Sequence, residues 1–149
     1  MTNSVGTYVL IIELPTETPL EVGALGTHSF EAGWYAYVGS ALGSGGFKRI
    51  DRHRRVAAGE HPVRHWHIDY LLGHPASSLA AVRTVPGVDG ECRIASTLRA
   101  SSVPAFGCSD CSCHSHLFFE DERETLLEDV SQAISRVSDG ERGGRTQTG

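Results

Sequence analysis

Nine residues near the start of the chain, Gly6-Thr7-Tyr8-Val9-Leu10-Ile11-Ile12-Glu13-Leu14, form a near-continuous apolar run stopped by Pro15. Their length and β-branched content predict a buried strand and not a helix. Pro15 to Pro19 is a turn. Leu20–Gly23 and His28–Phe30, placed around Ala24–Thr27, predict a short hairpin that hands the chain to Gly33. Trp34–Val38, aromatic and β-branched, predicts the next strand.

Beyond it the period changes from two to nearly four. A helix opens at Ser44 or Gly45 and runs to about Ala57, ended by Gly59 and Pro62. Arg64–Leu72 predicts a short helix with Trp66, Tyr70 and Leu71 on one face, closed by Gly73 and Pro75. Leu79–Val85 is a third central strand, Gly87–Gly90 a turn, and Glu91–Ala100 a helix whose acidic first residue suits the helix dipole. His116–Phe119 is a short strand. Asp121–Val137 is an amphipathic helix with Leu126, Leu127, Val130, Ala133, Ile134 and Val137 on its apolar face. From Ser138 the chain turns polar and glycine-rich and is expected to be a disordered tail. The elements add up to one α/β domain over residues 1–137, a small central antiparallel sheet flanked by helices with an extra N-terminal hairpin.

Composition leaves that picture intact. The 149 residues suffice for one core, and 40% hydrophobic with 21% charged residues is the balance of an ordinary soluble globular protein. Met1–Val5 carries no basic residue, and the run at Tyr8–Leu14 is too short for a signal peptide or a membrane span, so a cytoplasmic location with no membrane partner is expected. Net charge is −5, which argues against a protein that coats nucleic acid non-specifically. Its distribution matters more. Lys48, Arg49, Arg52, Arg54, Arg55 and Arg64 face only Asp51 and Glu60 in the same stretch, while acids gather at Glu120–Asp129. A basic patch on an acidic body suits a nuclease that touches few phosphates and releases them. Three of the four cysteines fall within Cys108–Cys113, which reads as metal binding or free thiols sooner than as a disulfide framework.

The chemistry-bearing stretch is Gly33–His53, where a tyrosine-rich strand breaks at Gly39, Gly43, Gly45 and Gly46 and enters the basic helix. Glycines allow close approach to a ligand, and basic residues at helical spacing suit an anion, so the stretch suggests phosphate handling. Gly39, Ser40, Lys48 and Arg52 are the candidate phosphate contacts. An ordinary strand–loop–helix connection with a solvated basic face explains the same residues, and Ser40 could equally cap the loop.

At these residues the chain resembles the GIY-YIG nuclease superfamily. Gly6-Thr7-Tyr8 stands for its first tripeptide, Tyr37-Val38-Gly39 for its second, and Arg49-Ile50 followed by His53 for its arginine–histidine helix motif. It is similar in particular to a branch sharing Tyr-Val-Gly-Ser-Ala (Tyr37–Ala41), His-Trp-His-Ile-Asp-Tyr-Leu (His65–Leu71), Glu91-Cys92, and a Cys/His-rich run over Phe106–Leu117. The likeness covers Val5 to Phe119. It departs from the archetype in placing Tyr8 and Tyr37 29 positions apart, which leaves room for the extra hairpin.

The resemblance implies metal-dependent endonuclease hydrolysis of DNA phosphodiesters, in repair or processing. Tyr8 or Tyr37 would be the general base and the other would orient the water; Arg49 would hold the scissile phosphate; His53 would position phosphate or act as an acid. Glu91 would ligate Mg²⁺ or Mn²⁺. These roles require Tyr8, Tyr37, Arg49 and Glu91 to converge on one open cleft. Phosphoryl transfer suits such a set, because its catalysis is mostly positioning and charge stabilisation.

His65, His67, Cys108, Cys111, Cys113 and His116 form a second candidate cluster, dense in soft ligands. Zn²⁺ takes four such groups, although the Cys111-x-Cys113 spacing is tight for a compact knuckle. Asp69 and Asp110 are candidates to support it. Two alternatives therefore stand beside the nuclease: a non-catalytic nucleic-acid-binding adaptor, and a zinc-binding module. A DNA-repair protein is the candidate protein partner.

Overall fold

The computed structural model describes residues 6–22, 26–41, 47–60, 67–86, 91–103 and 116–146. Strand β1 (Gly6–Leu14) is the long apolar run, and β2 (Thr18–Glu21) and β3 (Thr27–Phe30) form the hairpin that follows it. Strand β4 (Gly33–Ala41) leads to helix α1 (Lys48–Ala57), then α2 (His67–Leu72), β5 (Ser78–Pro86), α3 (Glu91–Thr97), β6 (Ser101–Ser102), β7 (Leu117–Glu120) and α4 (Arg123–Thr146).

The main sheet has the order β5-β1-β4-β7-β6, and every pairing in it is antiparallel. Among the described residues the fold is mixed α/β, with a five-stranded antiparallel sheet, a small two-stranded sheet and four helices. Strand β5 lies at an edge and not in the centre. Its Ser78, Ala80, Arg83 and Thr84 are exposed, as an edge allows. Its register against β1 shifts between Ile11 and Ile12, where Ala80 is the additional residue.

Strand alternation gives the sheet two buried faces, which is why β1 reads as a continuous apolar run. Tyr8, Leu10, Ile12 and Leu14 join Tyr35 and Tyr37 on the face covered by Ile50 and Val56 of α1 and by Ile68, Leu71 and Leu72 of α2. Val9, Ile11, Ala36 and Val38 join Ile94 and Leu98 of the α3 region and Leu126, Val130, Ala133 and Val137 of α4 on the other.

Two helix C-termini differ from the sequence expectation. α3 stops at Thr97 and not Ala100, because the backbone N–H groups of Arg99 and Ala100 donate to the Asp129 carboxylate on α4 at 2.9 Å each. That turn frees Ser101 and Ser102 to pair with Phe119 and Phe118 as β6. α4 continues past Val137 to Thr146, each added residue closing one more hydrogen bond on a helix already nucleated. Its side chains from residue 138 onward lie outside the described residues. Among the described residues no helix is long and apolar enough to cross a membrane.

Candidate functional site

The pairing of β1 with β4 sets Tyr8 directly across from Gly39. A side chain at residue 39 would meet the Tyr8 ring: an added Cβ would lie 2.5 Å from the hydroxyl oxygen and in contact with the ring carbon that bears it. The glycine lets the phenol lie flat across the neighbouring strand. There its hydroxyl comes 2.8 Å from His53 Nε2 on α1, 45 residues away in sequence.

His53 faces the sheet because it shares the inner stripe of α1 with Ile50 and Val56. It is 1% exposed. Burial pushes its pKa down to about 4; the nearby Asp69 carboxylate raises it, and the Arg52 and Arg49 guanidinium charges lower it further. The imidazole is therefore neutral at pH 7. In the tautomer that leaves Nε2 bare, the phenol donates to it. An ordinary phenol titrates near pH ~10, so handing its proton to an imidazole held near pH 4 costs roughly 8 kcal/mol. In the resting protein His53 consequently orients the Tyr8 hydroxyl instead of deprotonating it. Tyr37, across from Leu10, presents its ring edge-on to the same imidazole with centroids 6.3 Å apart.

Arg52 is used differently from what its sequence suggests. Its two terminal nitrogens donate to the two carboxylate oxygens of Asp69 at 2.9 and 3.0 Å, in a fork that ties α1 to α2. The Asp69 carboxylate is fully buried and Arg52 mostly so, making the pair a strut between helices. Gly39, proposed from sequence as a phosphate contact, instead has the space above it filled by Tyr8. Lys48 is exposed and Arg49 half-buried at the start of α1, Arg49 one turn before His53 on the same helix face.

The two phenols converge, but not in an open cleft: Tyr8 is 1% and Tyr37 9% exposed. The reason is the strand alternation described above, which turns both toward α1. Tyr8 lies near one end of the sheet, where Gly6 and Thr7 are buried as well. Gly6 pairs with Ala41 on one side and Pro86 on the other. β4 leaves from Ala41 toward the start of α1, and β5 leaves from Pro86 toward Glu91, the first residue of α3. The helices carrying Arg49 and Glu91 thus start from one end of the sheet, on its opposite faces, with Tyr8 two residues inside that end.

The side chains of Ser40, His67 and Glu91 lie outside the described residues, as do His65, Cys108, Asp110, Cys111 and Cys113 altogether. His116 is buried, its pKa lowered by that burial, and its carbonyl accepts the Val38 N–H at 2.9 Å, extending the β4–β7 ladder. Among the described residues no three His, Cys, Asp or Glu side chains converge to hold a metal ion. Sequence reasoning missed the Arg52–Asp69 fork and the Asp129 cap. An arginine on a helix studded with arginines gives no signal of an inward partner.

Fold and site together define a small antiparallel α/β domain with a buried phenol–imidazole pair beneath a basic helix. The chain belongs to the family described as "Domain of unknown function DUF123", whose model matches residues 7–139. No curated protein and no solved structure matches it.

Proposed function

We propose that this domain is a metal-dependent endonuclease of GIY-YIG type that hydrolyses DNA phosphodiesters, acting in the cytoplasm in repair or processing. The observation that carries the reading is the Tyr8–His53 hydrogen bond, set two residues inside the strand end from which the basic helix α1 and the Glu91 helix both depart.

In this reading the substrate phosphate rests at the N-terminal turn of α1, on Arg49 and Lys48. Arg49 supplies a planar, permanently charged donor to its non-bridging oxygens. A water attacks phosphorus from the strand end, since α1 covers the face of the sheet. Once α1 lifts far enough to admit it, that water donates a hydrogen bond to the Tyr8 oxygen, whose own hydrogen is held toward His53, and is aimed by it. Phosphate also alters the proton balance. Neutralising Arg49 removes one of the charges opposing protonation of His53, a small easing beside the burial that dominates. The water's proton then passes to the Tyr8 oxygen as the Tyr8 proton passes to His53. The new P–O bond forms, the bond to the leaving sugar oxygen breaks, and that oxygen takes a proton from solvent.

A single carboxylate at Glu91 fits the habit of Mg²⁺ and Mn²⁺ of keeping most of their waters, and the ion would supply charge for the leaving oxygen when bound.

The test is cleavage of single-stranded, duplex and branched DNA and RNA with Mg²⁺ or Mn²⁺, alongside R49A and E91A checked for folding by circular dichroism. We expect DNA cleavage by the wild type and a loss of about 100-fold or more in each variant. A wild type that cuts nothing, or two variants that cut normally, overturns the proposal.

A further inference from the structure

On the reverse face of the sheet, α3 and α4 leave between them a cavity of about 350 Å³ lined by Arg93, Ser96, Thr97, Arg136 and Val137. Its size falls in the range of small-ligand sites. The two helices run antiparallel: Asp129 meets the backbone just beyond the C-terminus of α3, so Arg136, two turns later on α4, comes level with the first turn of α3. That turn begins at the end of the sheet where α1 also begins. The cavity and Arg49 thus belong to helices that follow strands ending at the same end of the sheet.

Its chemistry is cationic. The Thr97 hydroxyl donates to the Arg93 carbonyl at 2.8 Å and serves as wall, leaving the two guanidinium groups as the charged donors. Among the described residues no carboxylate lines the cavity. In a chain of net charge −5, two arginines brought together from different helices mark a place for an anion. A guanidinium has five N–H donors, so each can hold a phosphate oxygen while keeping a neighbour.

We propose that Arg93 and Arg136 bind a backbone phosphate of the nucleic acid, so that the strand engaged at α1 bends over the end of the sheet and is held a second time between α3 and α4. This rests on the nucleic-acid reading above. It implies a substrate longer than the scissile step and flexible enough to turn a corner, which favours a single strand or a branch over a straight duplex.

The experiment is fluorescence anisotropy of labelled single-stranded, branched and duplex DNA against full-length wild type, R93Q/R136Q and R49A across a salt series. A parallel titration follows amide NMR shifts of α3 with inorganic phosphate. The expected result is weaker binding of single-stranded or branched DNA by R93Q/R136Q, about tenfold near 0.1 M salt, with the slope of log K against log salt smaller by about one. Unchanged affinity and slope in R93Q/R136Q, while R49A loses cleavage, overturn the second contact and leave the nuclease standing. Inorganic phosphate shifting α3 with DNA binding unaffected by the variant assigns the cavity to a free anion and also overturns it. A wild type that binds no DNA at any salt removes this inference and the nuclease together.

Discussion

Replacing Gly39 with alanine tests the packing at the centre of the site. The new methyl would lie 2.5 Å from the Tyr8 hydroxyl oxygen, well inside contact distance, and the obstacle is a ring buried to 1% exposure and not a flexible tip. Tyr8 must swing away, which costs about 1–3 kcal/mol of overpacking. It also breaks the hydrogen bond to His53 and leaves a buried polar pair unsatisfied, a further cost of about 1–3 kcal/mol. We expect G39A to lose roughly 2–6 kcal/mol in urea unfolding. The decisive comparison is Y8A, in which the obstacle is gone. In that background G39A should be neutral, or stabilising by up to about 1 kcal/mol through reduced freedom of the unfolded chain. Equal destabilisation by G39A with and without the Tyr8 ring would refute the reasoning, since no coupling energy would then link the two positions.

Acid should act through His53. Its folded pKa near 4 lies below the ordinary value of 6.5, so between those values the unfolded chain binds the extra proton. Stability is fully present above about pH 6.5 and falls as pH drops toward 4, by roughly 3 kcal/mol in all; urea midpoints of wild type minus H53Q between pH 7.5 and 4.5 isolate this from the carboxylates and from His116. Asp69→Ala should cost about 3–5 kcal/mol by stranding a mostly buried guanidinium, and Arg52→Lys should recover only part, because an ammonium cannot form the two-pronged contact; chemical denaturation reads both. Asp129→Ala should destabilise by about 1–3 kcal/mol, with faster hydrogen exchange confined to the Arg99 and Ala100 amides it accepts from.

The sequence carries the strands and the long helix openly. β1, β4 and α4 are written in runs and stripes of apolar residues whose period survives without knowledge of what they touch. β6 is illegible for the opposite reason. Ser101 and Ser102 are both exposed and pair with β7 only because Asp129 turns the chain after α3, a contact 29 residues away. At the site, the sequence shows Tyr8 and Tyr37 on strands and His53 on a helix, but not what each side chain meets. Whether Gly39 faces a phosphate or a phenol depends on the β1–β4 register, and whether Arg52 faces DNA or Asp69 depends on how α2 packs. Neither leaves a trace in spacing along one chain. The burial of Tyr8 follows from the same gap: alternation says that it shares a face with Leu10 and Ile12, and only the placement of α1 says that this face is covered.

The seal over Tyr8 has a spectroscopic consequence. With its oxygen against an imidazole and almost no contact with solvent, the phenolic hydrogen can trade places with deuterium only when α1 lifts from the sheet. That hydrogen should give its own downfield proton resonance in ordinary water, and its rate of isotope replacement then clocks how often this corner of the domain breathes.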